Sequence, residues 1–224
     1  MKKKTVALLL ACVMALGVAV GGTLAWLTDT TQEVKNTFTD SNINITLKET
    51  DADEDKDADN NSYKMVPGHT IAKDPKATVV TGSEDCYLFI KVEEAGVSFT
   101  PEGDTMPQVY SFEDFLTYEI ADGWTKLEDE DGIYYRVFNS KDENCTNAMG
   151  KEYSILKDNQ VHVQETVTKK MMDDLQTYKV NPTLTFTAYA TQYWKSNTVS
   201  FSAQEAWQKT AGYVAPDTSS EGTT

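Results

Sequence analysis

Two histidines bound any catalytic reading of this chain: His69, in the turn sequence PGHT, and His162, between Val161 and Val163. Histidine is the usual general base near neutral pH and a common metal ligand. Neither one has a second ligand at metal-binding spacing. HExxH is absent, so a zinc-peptidase arrangement, with two histidines one helical turn apart beside a glutamate, has no residues to build it. The sequence also lacks a GxSxG elbow, a phosphate-binding glycine loop and a CxxC pair. The 35 acidic residues include enough carboxylates for glycoside chemistry, but nothing in their spacing singles out a pair. The chain is therefore expected not to be an enzyme and to carry no cofactor.

Calcium is the one ion for which the residue types fit. Asp51, Asp53, Asp55, Asp57 and Asp59 alternate along an acidic stretch, and hard cations favour clustered carboxylate oxygens. The EF-hand pattern fails, because Lys56 stands where the turn glycine belongs and Ser62 where the closing glutamate belongs. A weak calcium site and a solvated charge run are the two readings, and the same pair applies to residues 128–131. Cys86 and Cys145 permit one disulfide or two unpaired thiols, and Cys12 lies upstream in an apolar run.

The elements that would position these groups are mostly strands. Residues 42–47 alternate polar and apolar, and in CYLFIKVE (86–93) Cys86, Leu88, Ile90 and Val92 share one face. Residues 77–81, 118–121, 124–127, 133–138, 161–163 and 183–193 are further strands. The Asp122-Gly123 and Asp131-Gly132 turns make residues 118–138 read as a meander of hairpins. Many short strands between turns indicate a sandwich or barrel. Two helices interrupt them. Val167, Met171, Leu175 and Tyr178 form a helical stripe, and Ser202 and Glu205 form a capping box ahead of Trp207. Residues 49–62 hold no hydrophobe larger than alanine and read as a loop, and residues 214–224 as a polar tail.

The start of the chain reads as an export leader. Lys2, Lys3 and Lys4 precede residues 5–27, which carry no charged side chain. About 20 apolar residues can also cross a bilayer, so a retained anchor is the alternative, and either reading places the rest of the chain outside the cytoplasm. Gly21 and Gly22 weaken the helix, and Thr23-Leu24-Ala25 offers small residues to a signal peptidase. This points to cleavage between Ala25 and Trp26, with membrane contact only before the cut. Removing residues 1–25 takes three lysines and no acids from a chain of net charge −15, leaving −18. That charge repels phosphate backbones, so nucleic acid is not an expected partner.

GGTLAWLTDT (21–30), NTFTDSNINITLKE (36–49), MVPGHTIAKDPKATVV (65–80), EDCYLFIKVEE (84–94), TLTFTAYATQ (183–192) and SAQEAW (202–207) together resemble exported proteins matured by SipW-type signal peptidases, the group of TasA and the camelysins. The resemblance implies a secreted, jelly-roll-like β-sandwich of the cell wall or biofilm matrix. In TasA-like relatives such sandwiches polymerise into fibres. It also implies a SipW-type peptidase acting during export. The metalloprotease label given to camelysins finds no residues here to support it.

Cleavage would free an N-terminal arm whose Trp26, Leu27, Val34 and Phe38 need cover, followed by the first strand up to residue 48. An exposed strand edge on a second copy can accept such an arm through backbone hydrogen bonds, with pockets taking alternate side chains. This makes a head-to-tail homo-oligomer, or a contact with other matrix proteins, the expected partnership, with the arm folding onto its own sheet as the monomeric alternative. The chain from 63 to 213 completes a single domain. A different expectation is a monomeric module that binds cell-wall or host glycan through exposed aromatics, namely Trp124, Tyr134, Tyr135, Tyr193 and Trp194.

Overall fold

The computed structural model describes residues 42–52, 54 and 61–213. Among them are twelve strands and two short α-helices: β1 (Ile45–Lys48), β2 (Thr70–Ala72), β3 (Lys76–Val79), β4 (Cys86–Ala95), β5 (Val97–Phe99), β6 (Gln108–Tyr110), β7 (Leu116–Thr117), β8 (Thr125–Lys126), β9 (Ile133–Phe138), β10 (Tyr153–Ser154), β11 (Gln160–Val163), α1 (Lys169–Tyr178), β12 (Thr183–Gln192) and α2 (Ala203–Trp207). All pairings between strands are antiparallel. This is an all-β fold, as the run of short alternating segments predicts.

Two layers carry the core. In the first, β2 and β3 are halves of one extended segment that breaks at Pro75, where a ladder N–H is missing. Opposite it, β11 pairs with β2 and β10 with β3. The bonds from Lys73 N–H to Asn159 O and from Ile155 N–H to Pro75 O make the two ladders continuous. β1 flanks β3 on one side, and β7 pairs with β11 on the other. The second layer has the order β12-β4-β9-β8. Between the layers, Ala77 and Val79 of β3 meet Cys86, Leu88, Ile90 and Val92 of β4, Phe138 of β9, Tyr153 and Ile155.

β4 is buried on both faces. Tyr87 and Phe89, which point away from the layered core, are covered by Phe201, Ala206 and the fully buried Trp207. The helices form as their capping residues dictate. The Thr168 hydroxyl accepts from Met171 N–H to start α1, and a Ser202–Glu205 capping box starts α2. α1 places Leu175 in a satellite core with Val97, Phe115 and Val163. The expected meander over 118–138 is only partly formed. β8 and β9 are a hairpin, but the strand expected over 118–121 is reduced to a single bridge from Ile120 to Leu156; the strand there is β7, two residues earlier, and it pairs with β11, where Leu116 finds its buried partners. At the β8–β9 turn, Gly132 has φ +70 and a Cβ there would lie 2.3 Å from Val92 O, so the position requires glycine.

Candidate functional site

The two flanks of this layered core are built differently. On the β9 flank, Arg136, the sole arginine of the chain, lies 4.9 Å from the Trp124 ring centroid and 4.6 Å from that of Tyr153. Its guanidinium donates to Asn147 Oδ1 and to the Asp122 carbonyl. Burial lowers its pKa, and the two rings and two acceptors offset that cost. The Trp124 indole donates to Ser154 O at 2.8 Å, tying the β8 side to the first layer. Asn147 Nδ2 and Cys145 Sγ both donate to Val137 O and so cover the end of the β9 edge.

On the other flank, β12 is an edge strand for ten residues. Its register with β4 and the bond from Tyr193 N–H to Asp85 O show which of its groups are used. The odd-numbered residues spend their backbone groups on β4. Leu184, Phe186, Ala188 and Ala190 therefore direct N–H and C=O outward, where among the described residues no strand pairs with them. β1 lies beside β12 without pairing to it. Ile43, Ile45 and Leu47 form one lip of this seam and Leu184, Phe186 and Ala188 the other. All six stay only partly buried against a core whose Leu88 and Ile90 are fully buried.

The seam widens at one end into a cleft of about 760 Å³. Its apolar lining includes Met65, Ile71, Leu116, Val161, Leu184 and Phe186. At its rim Lys73 Nζ lies 3.0 Å from both carboxylate oxygens of Glu49, and the Tyr63 hydroxyl donates to Glu49 Oε1. The Lys73 ammonium also sits over the Tyr63 and Phe186 rings, at 5.1 and 5.6 Å. One half-buried cation thus joins β2, the end of β1 and β12.

The residues singled out from the sequence fall in different places. Ala25, Trp26, Leu27, Val34, Phe38, Asp53, Asp55, Asp57 and Asp59 lie outside the described residues, and Asp51 is half-buried after β1. His69 is exposed in its turn, and His162 faces away from the buried Val161 and Val163. Among the described residues no three His, Cys, Asp or Glu side chains are grouped to hold a metal ion. In residues 128–131, Gln204 Nε2 donates to Glu130 and Lys126 approaches Asp131 at 3.8 Å.

Both cysteines are free, and the geometry explains why. The bond from Val92 N–H to Gly132 O sets the β4–β9 alternation, so Val137 O points away from β4. Cys145, bonded to that oxygen, stands beyond β9 from Cys86. The separation is about two strand spacings, ~9.5 Å, and a disulfide needs Cα atoms within ~7 Å. Burial pushes the Cys86 thiol up to about 12, so it is an inert core residue.

The five aromatics expected to be exposed are each partly buried and engaged. Trp124 stacks on Arg136, and Trp194 donates to Asp85 Oδ2 at 2.9 Å with Lys141 over its ring. Tyr135 and Tyr193 pack on Tyr87, and Tyr134 packs against the main core. Asp85 is a residue the sequence analysis missed. It is buried, and it accepts from the Trp194 indole and from Ser140 N–H. Burial alone would raise its pKa, but these bonds and the nearby Lys141 hold it below the usual carboxylate range. An acid directly before an apolar strand was the only local sign of it.

Compared with protein-family profiles, with curated proteins and with solved structures, the chain matches none.

Proposed function

We propose that this is a secreted, non-enzymatic structural protein of a cell surface or biofilm matrix, whose copies join by strand addition at the β12 edge. The observation that carries the proposal is the seam, a ten-residue edge with outward backbone groups above inward side chains that remain half-buried. Such an edge is a template for another strand, and one added strand would satisfy its hydrogen bonds and cover Leu184, Phe186 and Ala188 together. The arm freed by cleavage between Ala25 and Trp26 supplies apolar residues of the right kind. In the extended conformation Trp26, Val34 and Phe38 fall on one face, while Leu27 falls on the other with Asp29, Glu33 and Lys35. The resemblance to TasA-like matrix proteins points the same way.

The glycan-binding reading has less support, since the aromatics it needs are spent on internal contacts. The test is electron microscopy and size exclusion of protein beginning at Trp26, with and without residues 26–38. Filaments or concentration-dependent oligomers that need the arm are expected. Monomers from both versions at high concentration, with calcium present to screen the −18 charge, would sink the proposal.

A further inference from the structure

We infer that the Asp74–Pro75 peptide bond is a self-cleavage site built into the first layer, and that Thr50 keeps it shut while the protein is folded. The inference does not depend on strand addition.

The chain contains a single Asp–Pro bond, and it falls where β2 ends and β3 begins. Cleavage of such a bond is intramolecular chemistry. One oxygen of the aspartate carboxylate attacks the aspartate's own carbonyl carbon, and the C–N bond to proline breaks. The proline nitrogen leaves as a secondary amine, taking a proton from the acidic solvent. The cyclic anhydride left behind then adds one water. The products are a chain ending in Asp74 and a chain beginning with Pro75, and water is the only other reactant consumed.

The fold stands in the way of the first step. Attack needs a carboxylate oxygen free to turn back toward the chain, and both oxygens of Asp74 are engaged elsewhere. Oδ1 accepts from Thr50 N–H at 3.0 Å, and Oδ2 accepts from the Thr50 hydroxyl at 3.0 Å and from Lys76 Nζ at 3.1 Å. Thr50 therefore grips both oxygens at once. Lys76 alone is the weaker restraint, because its side chain is 33% exposed. The backbone is pinned on either side as well, with Lys73 N–H donating to Asn159 O and Ile155 N–H to Pro75 O. Pro75 is fully buried, which keeps solvent protons from the nitrogen that must leave.

The charged groups around Asp74 are Lys76 on β3, Lys48 across from Lys76 on β1, Lys73, whose ammonium is held by Glu49, and Asp158 beside Asn159. Burial alone would raise the Asp74 pKa, but the bonds from Thr50 and Lys76 hold it below the usual carboxylate range, so the grip persists into mild acid. A cut would not release either piece. β1 on the first piece pairs with β3 on the second, and β2 with β11. Cleavage is thus a nick within the first layer, visible only once the chain is unfolded.

The test incubates protein beginning at Trp26 at about pH 4, in buffer and in urea, and follows by intact mass the pieces that end at Asp74 and begin at Pro75. Circular dichroism checks that the buffered samples are folded. Wild type should be cut in urea and stay whole in buffer. Thr50→Val, at an exposed position, loses the hydroxyl donor and should be cut about tenfold faster than wild type when folded, yet at the same rate in urea. Thr50→Ser keeps the donor and should behave as wild type, and Asp74→Glu, whose ring would be larger, should not be cut at this bond in either condition. Folded wild type cut as fast as in urea would overturn the guard without any substitution. Equal folded rates for wild type and Thr50→Val would overturn the role of Thr50, and no cut at this bond in urea would overturn the site.

Discussion

The β9 flank and the β12 flank border the same core, yet among the described residues only one is closed. At β9 a stacked guanidinium and an indole donor cross between layers, and the side chains of Cys145 and Asn147 occupy the edge at Val137 O. At β12 the inward side chains belong to the same core cluster, but no described residue satisfies the outward backbone groups. The contrast teaches that the edge at β12 is not simply where a sheet had to stop. The fold can close a flank with polar side chains, and at β12 it leaves a continuous apolar and hydrogen-bonding strip suited to a strand.

The comparison breaks most visibly at its closed side. Arg136→Ala should cost about 3 kcal/mol of folding stability in chemical denaturation, because it removes two stacking contacts and leaves Asp122 O and Asn147 without their donor. A loss under 1 kcal/mol would mean that the flank is held by packing alone. Asp85→Asn should cost about 2 kcal/mol at neutral pH, since a buried acceptor of two bonds loses its charge. It carries a pH signature as well. The folded pKa of Asp85 lies below its unfolded value, so its contribution is present above the usual carboxylate range and disappears as pH falls through the folded value. Denaturation midpoints of the wild type should therefore drop more steeply below about pH 4 than those of Asp85→Asn, and parallel curves would refute the assignment.

The open side should respond more weakly in the monomer and more strongly in assembly. Phe186→Ala removes a half-buried ring, so the loss should be only about 1 kcal/mol, well below the cost of truncating a fully buried core phenylalanine. Ala188→Pro should be milder still. Its N–H points to the free edge, where proline is tolerated, so thermal unfolding should shift by no more than a few degrees. The same substitution removes a donor that an added strand needs, and light scattering should show assembly lost. Assembly unaffected by Ala188→Pro would place the joining surface elsewhere.

Much of the sandwich was legible along the chain. β4, β9 and β12 lie where alternation placed them, with β9 spanning the predicted residues 133–138; α2 starts at its predicted Ser202 cap, and α1 carries Met171, Leu175 and Tyr178 of the predicted stripe but starts after Val167, at a Thr168 cap the stripe did not mark. β2, β5, β6 and β10 were not legible. Each has only two or three residues, too few for a period to show, and its partner lies outside any local window. Of the candidate site, the open edge of β12 was not legible, because TLTFTAYATQ has the same alternation whether one or both of its edges are paired; the apolar residues of 26–38 lie outside the described residues.

Residue type and spacing alone determined the all-β class, the two helices and the cap of the second, the acid surplus and the lack of any motif for metal or nucleophilic chemistry, because these depend on neighbours within a few residues. Tertiary structure decided the rest. It buried the second face of β4 under residues more than a hundred positions away and set β9 between Cys86 and Cys145. It also turned the expected surface aromatics inward and left β12 at an edge. The physical reason is that strand order and edge pairing depend on which distant segments share hydrogen bonds, and local alternation reports only which face of a strand is greasy.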